Sequence, residues 1–158
     1  YMSDKIVALF TGHHVFTKAE MQARDEIHFE SYCKKIQIEA LTMADMVRRQ
    51  ILPAAMAYSA QLCEAIGSKK QAEISCTVET ASARQVTELT EALYDGVSKL
   101  EDALRQLPAG EVSQLAAYYH DTVLRAMGLV RIAADGLEQI VPSRVWPYPT
   151  YTELLFSE

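Results

Sequence analysis

Long apolar runs are absent from this 158-residue sequence. No stretch reaches the ~18 consecutive apolar residues of a membrane-spanning helix, and the N-terminus lacks the basic, apolar and small-residue zones of a secretory signal. The reading is therefore of a cytoplasmic protein with no membrane partner. Cysteine is scarce too: Cys33, Cys63 and Cys76 are odd in number and lie in helical patterns, which argues against a disulfide framework and for reduced, packed thiols. Positive charge is short, with 15 Lys and Arg against 21 Asp and Glu and a formal net charge of -6. Nucleic acid, bound through clustered cations that displace counterions, is excluded as a partner. The basic pairs Lys34/Lys35, Arg48/Arg49 and Lys69/Lys70 are scattered, so they are read as solvated faces or local ion pairs.

Reactive constellations are missing as well. No Glu-x-x-His pair of the kind that builds metal sites in helical bundles occurs, and Asp25-x-x-His28 is a lone imitation. There is no Gly-rich phosphate loop, no Gly-x-Ser-x-Gly elbow and no Cys-x-x-Cys pair. His120 and Asp121 lie beside Tyr118 and Tyr119, but neighbouring helical residues point in different directions and do not converge on one substrate atom. No catalytic, cofactor-binding or metal residue is assigned to the chain.

With only 6 Gly and 5 Pro and plentiful Ala, Leu, Glu, Gln, Met and Arg, the composition favours helix and little or no sheet. Ser3 to Phe10 reads as a short docking helix ending at Gly12. Thr17 with Glu20 three residues on is a capping box, so a helix starts at Lys18. From Ile36 apolar residues recur every three or four positions through Ala40, Met43, Val47, Ile51, Ala54, Tyr58, Leu62 and Ile66. That stripe passes through Pro53, which predicts a bend near Arg49 to Leu52 that leaves the buried face unchanged, rather than an end, and Gly67 is the expected stop.

A loop is expected around 68–84, running into an early start of the next helix. A second stripe runs from Val86 to Leu107 and a third from Val112 to Val141, each closed by proline. Stripes 36–66 and 112–141 would span ~45 Å each at ~1.5 Å per residue. Matched lengths joined by short turns predict one all-α domain over 1–158, an antiparallel bundle of long helices. The segment 143–158 differs in character and is read as an extended docking tail. Trp146-Pro147-Tyr148-Pro149 favours extended backbone, and the tail is too apolar to be free. Trp146, Tyr148, Tyr151, Leu155 and Phe156 are the candidate docking residues, seated on the bundle itself or on a neighbouring chain or domain.

Two stretches go beyond composition. Glu30-Ser31-Tyr32-Cys33-Lys34-Lys35-Ile36-Gln37-Ile38-Glu39-Ala40-Leu41-Thr42-Met43, continuing to Arg49-Gln50-Ile51-Leu52-Pro53-Ala54 and Tyr58, resembles the segment that follows the catalytic domain in type III glutamine synthetases. Trp146-Pro147-Tyr148-Pro149-Thr150-Tyr151 with Leu154-Leu155-Phe156 resembles that family's extreme C-terminus, and Val15-Phe16-Thr17-Lys18 with Glu20 and Arg24 is similar to it too.

The resemblance implies a parent ligase that joins ammonia to glutamate through a γ-glutamyl phosphate, using ATP and a divalent metal, magnesium or manganese, in a ring-based homo-oligomer. It implies that this chain is a C-terminal fragment without active site or cofactor, partnered by its own catalytic domain and neighbouring subunits. The competing reading is a stand-alone helical binding or sensing module.

Overall fold

A computed structural model describes residues 3–149 and 151–156, except the side chains of 151 and 152. Seven α-helices and two π-turns occur among the described residues, with no strand. Helix α1 spans Asp4–Gly12 and α2 Lys18–Met46. A π-turn at Val47–Ile51 joins α2 to α3, Leu52–Gln71. Helix α4 spans Thr77–Arg105. Then α5, Val112–Tyr118, passes through a second π-turn, Tyr119–Val123, into α6, Leu124–Glu138. The short α7 is Tyr151–Phe156.

The capping box at Thr17 forms in both directions. The Glu20 N–H donates to the threonine Oγ1 at 3.2 Å, and the Thr17 N–H donates to Glu20 Oε2 at 2.7 Å. Just inside it Met21 is buried four positions into the helix, where a staple to Phe16 belongs. Phe16 also meets the Phe10 ring at 5.8 Å and lies under the Arg24 guanidinium at 4.5 Å. These contacts hold α1 to the start of α2, although no residue of α1 is fully buried.

The helix does run through Pro53, and the device is the π-turn. Proline offers no N–H, and its ring would strike the carbonyl four residues back, that of Arg49. Here the Leu52 N–H reaches the Val47 carbonyl, five residues back, so one extra residue enters the turn. The insertion rotates the helix that follows, so the buried face does not keep its expected phase. Ile51 and Leu52 are both buried, and Ala55 rather than Ala54 continues the core.

Gly67 does not stop this helix, which continues to Gln71. The stop is made instead by Glu73, held in the left-handed region at φ 57, with its N–H donating to Lys70 O and that of Ile74 to Lys69 O. His14 does the same after α1 at φ 54, with the Val15 N–H donating to Phe10 O. Both ends are Schellman motifs in which a residue other than glycine holds the left-handed position. The loop expected around 68–84 is correspondingly short, closing before Thr77.

Cross-links fix the direction of each helix. Arg48 meets Glu101 and Lys69 meets Glu79, so α4 runs antiparallel to the first long helix. Positions 96 and 136 on α4 and α6 face Val130 and Leu89 respectively, so the third long helix is antiparallel to α4. The bundle is antiparallel, but its lengths are not matched. The unbroken run from Lys18 to Gln71 covers about 80 Å, because its polar N-terminal third continues as helix beyond the apolar stripe. Burial follows the predicted seams: Val86, Leu93, Val97 and Leu100 of α4 and Tyr119, Val123, Val130 and Leu137 of the third helix are almost wholly enclosed.

The cysteines divide. Cys33 is buried, and enclosure pushes its thiol up, with Glu30 adding to the rise. Cys76 is half-buried and Cys63 is exposed, so the expectation of three packed thiols fails for Cys63. It lies in an open, shallow depression beside Thr87, Thr90 and Glu91 of α4 rather than in the core.

Candidate functional site

After α6 the chain folds back onto the bundle. The N–H groups of Val145 and Trp146 both donate to the Pro142 carbonyl, a turn that swings the Trp146 ring inward. Trp146 is 8% exposed and belongs to the same core cluster as Val141, Leu137 and Ala40. Tyr148 packs against that cluster, and its hydroxyl is buried with no hydrogen-bond partner among the described residues. Burial, with the Asp45 charge as a lesser cause, raises its pKa. Residues 141–148 therefore form a strap seated on the bundle.

The candidate docking residues separate at this point. Trp146 and Tyr148 are in the strap, while Leu155 and Phe156 lie on α7, 77% and 78% exposed, with Leu154 beside them at 62%. The Tyr151 side chain lies outside the described residues. The sequence reading made the whole tail extended. Residues 143–145 form a turn and Tyr151–Phe156 a short helix instead, the latter because no proline follows to interrupt the backbone N–H groups.

A second group of polar side chains converges across the bundle. Arg48 donates from Nε to Glu101 Oε1 at 3.0 Å and from Nη2 to Glu101 Oε2 at 2.8 Å. The same Nη2 donates to Ser98 Oγ at 2.9 Å, and the guanidinium lies 4.7 Å from the Tyr94 ring centroid. All three partners sit on one face of α4, one turn apart, which ties the π-turn to α4. Arg49 pairs with Asp45, Lys34 with Glu30 and Lys69 with Glu79, so these members of the basic pairs are in local ion pairs. The sequence reading named Arg48 without its partners. The spacing Tyr94, Ser98, Glu101 was the available signal.

The Glu101 carboxyl titrates below its ordinary value of 4.5, chiefly because Arg48 hydrogen-bonds its charged form. A depressed folded-state pKa contributes stability that is complete above the unfolded value and fades as pH falls through the folded one. The stability gap between the unchanged chain and Glu101→Gln should be about 1 kcal/mol at neutral pH, allowing for the pair's partial exposure. Urea titrations at several pH values below 4.5 should show this gap closing, whereas a gap that stays constant would mean that the ion pair contributes nothing.

Tyr118 donates to the Ala103 carbonyl at 3.0 Å, Tyr119 is enclosed, and His120 and Asp121 lie outside, 3.0 Å from each other. Burial, with Cys33 and Tyr118 as lesser causes, raises the Tyr119 pKa. The second π-turn falls on these residues, with the Leu124 N–H donating to Tyr119 O. No proline or other local feature marks it. Among the described residues no group of three or more His, Cys, Asp or Glu is arranged to hold a metal ion, and no helix is long and apolar enough to cross a membrane.

The fold defines the class, an all-helical bundle with a strap and an exposed apolar terminal helix. The model of the glutamine synthetase C-terminal domain family matches residues 1–70 of the chain. The chain is 36% identical over 160 residues to a glutamine synthetase of Butyrivibrio fibrisolvens, covering 99% of this chain and 23% of that protein. It is 31% identical over 161 residues to the type-3 glutamine synthetase of Dictyostelium discoideum, and 27% identical over 166 residues to a glutamine synthetase of Bacteroides fragilis. Those matches cover 98% and 100% of this chain, and 22% and 23% of the two relatives. The chain thus spans less than a quarter of the length of the curated relatives it matches.

Proposed function

We propose that this chain is the C-terminal helical domain of a type III glutamine synthetase, and that it serves assembly rather than chemistry. The polypeptide containing it would make glutamine from glutamate, ammonia and ATP with a divalent metal, in the cytoplasm, on domains outside this chain. The domain's partners would be that catalytic part and neighbouring subunits of a ring-based oligomer.

The observation carrying the assembly role is the split tail. Its first half is anchored by Trp146, and its second half presents Leu154, Leu155 and Phe156 to solvent. Each large apolar side chain contributes roughly 1.5–3 kcal/mol when fully buried, so three in one short helix suit a seat on another surface. The anchor restricts where α7 can reach, which lowers the entropy lost on docking.

Changing Leu154, Leu155 and Phe156 together to Ser is the test. In this chain the thermal midpoint should move by no more than about 2 °C, because exposed side chains contribute little to the fold. In the whole synthetase the same change should reduce the assembled fraction on size-exclusion chromatography, with activity falling in parallel. Normal assembly and activity would remove α7 from the account.

A further inference from the structure

Two faces of the bundle are matched to each other and cannot meet within one chain. The first is a groove between α3 and α4, on the side away from the third long helix. Leu52, Pro53, Met56 and Tyr94 line it, with Glu91 and Asp95 at its edge. Met56 and Tyr94 are 63% and 55% exposed. Arg48, at one end, is already committed to Glu101, and Glu91 and Asp95 have no ion-pair partner among the described residues.

The second face is the outer side of α6. Leu129 and Ile132 are 55% and 70% exposed there, and Arg125, one turn before Leu129, is exposed and has no ion-pair partner among the described residues. One face is apolar with uncommitted acids, the other apolar with an uncommitted cation, and they lie on opposite sides of the molecule.

We propose that the α6 ridge of one copy docks in the α3/α4 groove of a second copy, giving head-to-tail association of this domain. Charge complementarity selects the occupant. The chain is acidic overall, so two copies repel at long range, and a contact between them needs an opposite-sign pairing of this kind. Such a contact joins different patches, so it is heterologous and builds chains or rings rather than an isolated two-fold dimer. The inference does not depend on the tail or on the catalytic role of the parent protein.

Sedimentation equilibrium of this chain from about 1 to 100 µM tests it, a range that reveals weak, small interfaces. The average mass should rise with concentration. A groove variant, Glu91→Lys with Asp95→Lys, and a ridge variant, Arg125→Glu with Ile132→Asp, should each weaken association at least about tenfold, since like charges then face each other. All four positions are exposed, and circular dichroism should show unchanged helix content.

An equimolar mixture of the two variants is the decisive sample. The groove variant keeps an intact ridge and the ridge variant an intact groove, and the two altered faces now set lysines against acids, so the mixture should associate where each variant alone does not. A chain that stays monomeric throughout, variants that associate as the unchanged chain does, or a mixture that stays monomeric would each overturn the proposal.

Discussion

Trp146→Ala is expected to lower the stability of this chain by about 3–5 kcal/mol, the range for removing a large buried aromatic side chain. The ring is 8% exposed and sits in the main core cluster, although it belongs to an irregular strap. At this chain length that loss corresponds to a fall in thermal midpoint of roughly 10 °C. Trp146→Phe should recover part of it, because a smaller ring still fills part of the seat. Thermal unfolding followed by circular dichroism measures both. A Trp146→Ala midpoint within a degree or two of the unchanged chain would mean that the strap merely lies on the bundle.

Replacing Gly96 by Leu should destabilise the bundle by about 1–3 kcal/mol or more, through overpacking rather than a cavity. A Cβ at position 96 would lie 3.3 Å from Val130 Cγ2 and 3.6 Å from the Val130 Cα and N. The nearest atoms thus include backbone that moves only if α4 and α6 separate. Gly136→Ala should cost less, since the new methyl meets only the Leu89 side chain, at 3.1 Å and beyond. Gly67→Ala should raise stability by up to about 1 kcal/mol, because nothing lies within 4 Å of the added carbon and alanine favours helix. Urea denaturation of the three variants should give that order, and a Gly96→Leu protein as stable as the parent would disprove the close approach of these helices.

What the sequence revealed was set by local physics. Thr17 and Glu20 specify a helix start through two hydrogen bonds made within four residues, so the capping box was legible. The apolar stripes fixed which helices pack. Gly67 misled because glycine tolerates a left-handed stop without requiring one, and the stop came at Glu73, where a residue of ordinary stereochemistry is forced there. Continuation of the helix through Pro53 was legible in the stripe but the π-turn that achieves it was not, and the turn at Tyr119–Val123 carries no local mark. The tail's composition showed that it must dock but not that its anchor and exposed end would part company at Pro149. That division is a property of tertiary packing, which no single segment encodes.

The central claim is that this chain is the non-catalytic C-terminal part of a glutamine-forming enzyme. It is tested most directly by measuring ATP- and glutamate-dependent glutamine formation for the purified chain and for the whole polypeptide that contains it. The account predicts turnover by the whole polypeptide and none by the chain alone, because nothing assigned in these residues binds a nucleotide or stabilises a transferring phosphoryl group. Turnover by the chain alone, or none by an intact polypeptide that folds and assembles, would contradict it.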